Sequence, residues 1–299
     1  MYLYHFGLRE LPFTLTPNTE FFYGLPAHQE ALATLLTALK TGEGFIKVVG
    51  EVGTGKTLIC RKLLNDLPEH FVTAYIPNPY LSPEELRVAV ATELGVRTTG
   101  KPDQQQLTQR IQDKLLQLHQ QGHSVVLILD EAQALPKESL EALRLFTNLE
   151  TERRKLLQVV LFGQPELDQR LAGDELRQLR QRITFSYNLR PLNASEVHQY
   201  IVYRLRVAGN KSADLITTNI AKQIHRGSRG IPRLINVLAH KALILAYGQG
   251  RHYLLAKDVK AAIRDTEEAS TGSGLWRWLC MASVSVVALL WGVSSGDWL

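Results

Sequence analysis

Cysteine is nearly absent: Cys60 and Cys280 are the only two in 299 residues, far apart and in unlike surroundings. That excludes a disulfide framework and a cysteine zinc site, and it fits a reducing compartment. A strong charge bias is also missing. The 34 basic and 29 acidic residues leave a formal charge of +5, which suits an anionic partner (nucleotide, anionic lipid or nucleic acid) without choosing among them. There is no fixed-period repeat and no low-complexity block. With 45% hydrophobic and 21% charged residues, the composition is that of an ordinary globular protein and not of a disordered one. The first ten residues lack a basic stretch followed by an apolar run. A secretory leader is therefore not expected, and the main domain is expected to stay in the cytoplasm. Long apolar runs are absent as well, except for residues 275–293.

Residues 13–26 are rich in aromatics and proline, and a helix is expected over 28–40 from the spacing of Ala31, Leu32, Leu35, Leu36 and Leu39. Short apolar runs then alternate with longer helical patterns. Strands are expected at 45–49, 71–76, 125–129, 156–162 and 183–189, and helices at 56–67, 83–94, 104–121, 137–149 and 166–180. Strands separated by helices imply a parallel sheet covered on both faces. After Pro191 no strand-like run follows. Asn193-Ala-Ser-Glu196 reads as a capping box, and helices are expected at 194–208, 213–225, 232–247 and 256–266. The expected division is a core at 1–190, a helical domain at 191–266, a Gly/Ser-rich linker at 267–274, a membrane span at 275–293 and a tail at 294–299.

Two motifs carry chemistry. Gly50, Glu51, Val52, Gly53, Thr54, Gly55, Lys56 and Thr57 directly follow the first expected strand and open a helix, the context a phosphate-binding loop requires. Its glycines let backbone N–H groups turn inward onto phosphate oxygens, and the helix adds its positive end. Lys56 would reach the β- and γ-phosphates of ATP, and Thr57 would offer its hydroxyl to Mg2+. The second motif is the run 125–129 followed by Asp130 and Glu131. Five apolar residues in a row read as a strand buried on both faces, with two carboxylates at its carboxyl end, where open α/β sheets bind ligands. Asp130 would hold Mg2+, mostly through water, and Glu131 would orient and deprotonate an attacking water.

These motifs, the alternating strands and the trailing helices resemble AAA+ ATPases over residues 24–266. The resemblance implies an α/β P-loop core of three layers with strand order 5-1-4-3-2, a small helical lid, and self-assembly into a ring with nucleotide between subunits. It assigns Gln164, after the strand at 156–162, as a first-sensor residue. Arg180 and Arg182, in Leu179-Arg-Gln-Arg-Ile183, become candidates for a finger acting in trans, with Arg177 a third. Gly227-Ser-Arg-Gly-Ile-Pro-Arg233 is similar to a second-sensor motif, with Arg233 reaching towards the γ-phosphate. The N-terminal residues Tyr4-His-Phe-Gly-Leu-Arg-Glu-Leu-Pro-Phe13, together with Asp130-Glu-Ala-Gln133 and Gly163-Gln-Pro-Glu-Leu167, resemble the ExeA/GspA type of secretion-pathway ATPase, and more closely the ATPases of MSHA (mannose-sensitive haemagglutinin) pilus biogenesis. Apart from that resemblance, the aromatic N-terminus could simply pack over the adenine side of the site.

The run 275–293 is apolar on all sides, and 19 helical residues rise about 28 Å, close to a bilayer's hydrocarbon thickness. Tryptophans 276, 278, 291 and 298 flank it as an aromatic belt. A single-pass inner-membrane anchor is expected, with the ATPase on the cytoplasmic side. With six residues after the span, peptidoglycan binding by the same chain is not expected. The expected partners are copies of the chain itself, pilus or secretion assembly proteins, and the membrane. The alternative function is a DNA-associated ATPase of the transposition-helper type. Against it, no helix-turn-helix with clustered Lys or Arg follows the helical domain, so nucleic acid is not an expected partner. A third reading is a slow nucleotide switch, against which Glu131 argues.

Overall fold

The computed structural model describes residues 2–16, 18–77, 79–97, 103–146, 155–210 and 215–270. The expected span at 275–293 and the tail at 294–299 lie outside them, as does the second half of the expected linker, residues 271–274. Among the described residues, no helix is long and apolar enough to cross a membrane.

Five parallel strands form one sheet: β1 Phe45–Gly50, β2 Phe71–Ile76, β3 Ser124–Leu129, β4 Leu157–Gly163 and β5 Ile183–Leu189. Their order, β2-β3-β4-β1-β5, is the expected 5-1-4-3-2 read from the other edge. The pleat sends alternate residues to opposite faces. In β3, Val125, Leu127 and Leu129 join one apolar cluster, while Val126 and Ile128 join the other. The first cluster takes in Leu86, Leu115, Leu140 and Leu167 from helices Pro83–Glu93, Gln104–Gln120, Lys137–Phe146 and Pro165–Leu171. The second takes in Leu35 and Ile59 from helices Pro26–Thr41 and Lys56–Asp66. β3 and β4 are buried on both faces, whereas the edge strand β5 alternates between partly buried and exposed residues. This explains why β3 reads as an unbroken apolar run over 125–129 and β5 does not.

By contact grouping the chain divides into two compact units. One holds residues 15–191 with Ile231–Arg233, and the other holds residues 1–14, 192–230 and 234 onward. The helical unit contains helices Ala194–Val207, Thr218–Ser228, Pro232–Gly248 (from residue 234) and Ala256–Arg264. Its first helix starts at the expected capping box: the Asn193 side chain accepts from the Ser195 and Glu196 N–H groups, and Glu196 accepts from the Asn193 N–H at 2.8 Å.

Four expectations change. Residues 1–14 belong to the helical unit and not to the core. Arg9 N–H donates to the Ala208 carbonyl at 2.7 Å, the Asn210 amide donates to the Phe6 carbonyl at 2.6 Å, the Arg204 guanidinium donates to the Pro12 carbonyl, and Phe6, Leu8 and Phe13 are buried. This part of the aromatic N-terminus therefore packs within the helical unit. The helix expected at 166–180 is broken into Pro165–Leu171 and Arg177–Arg182, with a 3-10 turn at Asp174–Leu176. The Arg180 guanidinium donates to the Ala172 carbonyl at 2.9 Å, meeting the chain just beyond the first helix's end. The helix expected from 213 begins at Thr218, where the Thr217 side chain accepts from the Ile220 N–H. Glu267–Ser270, expected as linker, is a short helix.

Candidate nucleotide site

Strand register brings the site together. Val49 of β1 lies opposite Gly163 of β4, and Leu129 of β3 lies opposite Leu161. Gly50, which ends β1, and Asp130 and Gln164, which follow β3 and β4, therefore emerge at the same carboxyl end of the sheet, although they are far apart in sequence.

The loop after β1 is shaped by backbone that only glycine adopts easily. Gly53 has φ +80°, and a Cβ there would stand 2.5 Å from the Cβ of Arg233. Gly55 has φ +103° and caps the helix beginning at Lys56. A Cβ at Gly55 would stand 3.2 Å from the His28 ring, whose Nε2 donates to the Thr54 carbonyl at 3.0 Å. Lys56 is 5% exposed, and its ammonium donates to the carbonyls of Gly50 at 2.8 Å and Glu51 at 3.0 Å. Burial holds its pKa below the ordinary lysine value, although Glu131, Asp130, Glu51 and Glu166 all act to raise it.

Across the loop, the Thr57 hydroxyl donates to Asp130 Oδ2 at 2.8 Å, and the Glu131 N–H donates to Asp130 Oδ1 at 3.0 Å. Burial raises the Asp130 pKa, with these two bonds working against it. Glu131 has φ +54° and ψ +39°, a left-handed conformation that costs a non-glycine residue about 1–2 kcal/mol and tends to occur at functional sites. Its Oε2 accepts the Gln133 side-chain amide at 2.6 Å and the Gln164 side-chain amide at 2.9 Å. Burial pushes the Glu131 carboxyl up, but the two amides and the Lys56 charge outweigh it and leave the pKa below the usual value. The carboxylate is therefore ionised, placed to accept a proton but held as a modest base.

Of the residues picked out in the sequence, Gly50 to Thr57, Asp130, Glu131 and Gln164 come together here. Arg233 joins them, its N–H donating to the Gly53 carbonyl at 3.1 Å. Arg180 and Arg182 do not. They precede β5, whose first residue, Ile183, pairs with Phe45 at the far end of β1, while Leu189 pairs with Gly50 at the loop. Six steps of strand separate the two ends, about 20 Å. His28 and Gln133 had no assigned role in the sequence. His28 sits in an ordinary helical pattern with no signal attached, whereas Gln133, two residues after Glu131, is near enough to a motif to be suspected.

The donor set fits the ligands that the motifs imply. A glycine-shaped loop opening onto a helix start and a buried lysine suit a polyphosphate. A hydroxyl and carboxylate pair is the hard oxygen set that binds Mg2+ alongside substrate phosphates.

Residues 39–171 match the AAA domain family. The chain is 42% identical over 97% of its length to general secretion pathway protein A of Aeromonas hydrophila and spans 53% of that protein. Among solved structures, Cdc6p from Pyrobaculum aerophilum has a TM-score of 0.64 at 18% identity, covering 83% of this chain and 70% of that one. The ORC2 protein of Aeropyrum pernix, in its ADPNP–ADP complexes, has a TM-score of 0.59 at 18% identity, covering 83% and 72%. At that identity these two likenesses establish the fold alone.

Proposed function

We propose, from the match to the AAA domain family and the identity to general secretion pathway protein A, that the chain is an AAA+ P-loop ATPase of the ExeA/GspA type, a membrane-anchored motor that hydrolyses ATP to drive assembly of a type IV, MSHA-like pilus or related secretion machinery. The ATPase part is carried by one observation: Lys56, the Thr57–Asp130 pair and the tethered Glu131 converge at the carboxyl end of one sheet. The secretion role is supported by the identity to general secretion pathway protein A, about half of whose length this chain spans.

In this reading the loop N–H groups and Lys56 hold the phosphates, and Arg233, beside Gly53, serves as the second sensor. Thr57 and Asp130 would hold Mg2+, which when bound neutralises charge on the phosphates. Glu131 orients a water and takes its proton, with Gln164 as first sensor bonded to the same carboxylate.

Arg180 and Arg182 lie about 20 Å of strand away from their own chain's loop, so a role on the γ-phosphate falls to the loop of a neighbouring copy. Contacts of this head-to-tail kind close into rings when the rotation permits. Mixing inactive Lys56→Ala chains with inactive Arg180→Ala/Arg182→Ala chains should restore part of the turnover. The absence of recovery at every ratio would mean that each site is complete within one chain.

The anchor is assigned to residues 275–293. Lys257, Lys260, Arg264 and Arg277 lie on or just before the N-terminal end of this run, and residues 294–299 hold no lysine or arginine. The lysines and arginines on the N-terminal side support a cytoplasmic ATPase. The full-length chain should float with inner-membrane vesicles, and truncation after Thr271 should leave a soluble, ATP-binding protein that no longer supports its pilus or secretion system. Full-length protein found wholly in the soluble fraction after gentle lysis, and retained on DNA in a salt-sensitive way, would favour the DNA-associated alternative.

A further inference from the structure

We propose that Gln133 is a positioning residue that holds the Glu131 carboxylate in register with the end of β4, so that turnover depends on a side-chain amide two residues beyond the base. The inference rests on the reading of Glu131 as the base.

A glutamate has three side-chain torsions, and at the mouth of a site it must be fixed before it can align a water. Gln133 is built to do this. Its amide N–H donates to Glu131 Oε2 at 2.6 Å, while its amide oxygen accepts the Gln164 backbone N–H at 3.0 Å. One side chain thereby links the segment after β3 to the segment after β4. Gln133 is itself held at both ends. Its own carbonyl accepts the Arg170 guanidinium from helix Pro165–Leu171, and its amide oxygen lies 3.4 Å from where a Cβ on Gly163 would stand. The turn that presents Gln133 is the 3-10 turn Ala132–Ala134, closed by the Ala134 N–H on the Glu131 carbonyl at 2.8 Å.

The second tether comes from the Gln164 side chain, also onto Oε2. Two donors converging on one oxygen fix the plane of the carboxylate and leave the lone pairs of Oε1 for a water. Misplacement of a reacting group by about 1 Å can cost ~100-fold in rate, so loss of this alignment should be felt in turnover.

The two bonds made by the Gln133 amide can be separated chemically. Gln133→Met keeps length and volume and removes both. Gln133→Glu keeps an oxygen to accept the Gln164 N–H but cannot donate to Glu131 and instead opposes it with like charge. In the full-length chain, both variants should lower kcat by about 10- to 100-fold, with ATP affinity within about twofold of the parent. Neither should lower turnover further when added to Glu131→Gln. A Gln133→Glu chain that keeps kcat within twofold would overturn the proposal, because the residue would then act only through Gln164. A fall in kcat matched by an equal fall in affinity would overturn it too, by showing general collapse of the site. Glu131→Gln, run alongside, separates the two readings. If that variant is inactive while Gln133→Glu is active, only the positioning role fails; if it keeps its turnover, the base assignment fails and the positioning role with it.

Discussion

Glu131→Gln should bind ATP as tightly as the parent and lose at least about 100-fold in turnover, the scale of a missing general base. The substitution is close to isosteric, and the structure indicates why the site should survive it. The amides of Gln133 and Gln164 both donate to Oε2, and the carbonyl oxygen of a glutamine can accept the same two bonds. The left-handed backbone at this position is no harder for glutamine than for glutamate. What disappears is the ability to accept a proton from water. Single-turnover hydrolysis measured beside equilibrium ATP binding provides the check, and turnover within twofold of the parent would mean that another group takes the proton. Such a chain, bound to ATP but stalled, is also the form with which to test for the proposed assembly partners.

Lys56→Ala should weaken ATP binding by at least about 100-fold, since two charge-assisted hydrogen bonds at ~1.5–3 kcal/mol each are lost. The fold should persist. Lys56 contributes its ammonium to two loop carbonyls and no apolar group to either side of the sheet. Removing it also relieves the desolvation that depresses its pKa, so the thermal midpoint should stay close to the parent's. Calorimetric titration with ATP, paired with a melting curve, separates lost ligand contacts from lost structure. Undiminished affinity would remove the phosphate-loop assignment, and a large fall in melting temperature would make Lys56 a structural residue first.

The parts legible in sequence were those written in short-range spacing. The eight residues from Gly50 to Thr57 declare a phosphate loop because the chemistry needs glycines, a lysine and a hydroxyl at fixed local offsets. The apolar run before Asp130 and Glu131 declares a buried strand because both of its faces are covered, and the Asn193–Glu196 box marks a helix start through contacts only three residues apart. The arrangement of these pieces was decided by tertiary structure. Thr57 and Asp130 are 73 residues apart, and Glu131 and Gln164 are 33; each pair meets because strand register sets which carboxyl ends line up, a quantity no local pattern contains. The same holds for Gln133, whose role appears only when β4 delivers Gln164 beside it. It also holds for residues 1–14, whose aromatics could have served either unit until the Ala208 carbonyl, Arg204 and Asn210 bound their backbone. Local spacing determines which chemistry the chain carries, because donors and acceptors a few residues apart are constrained by the backbone itself. Long-range packing determines which groups share a site, because that depends on how all five strands compete for burial at once.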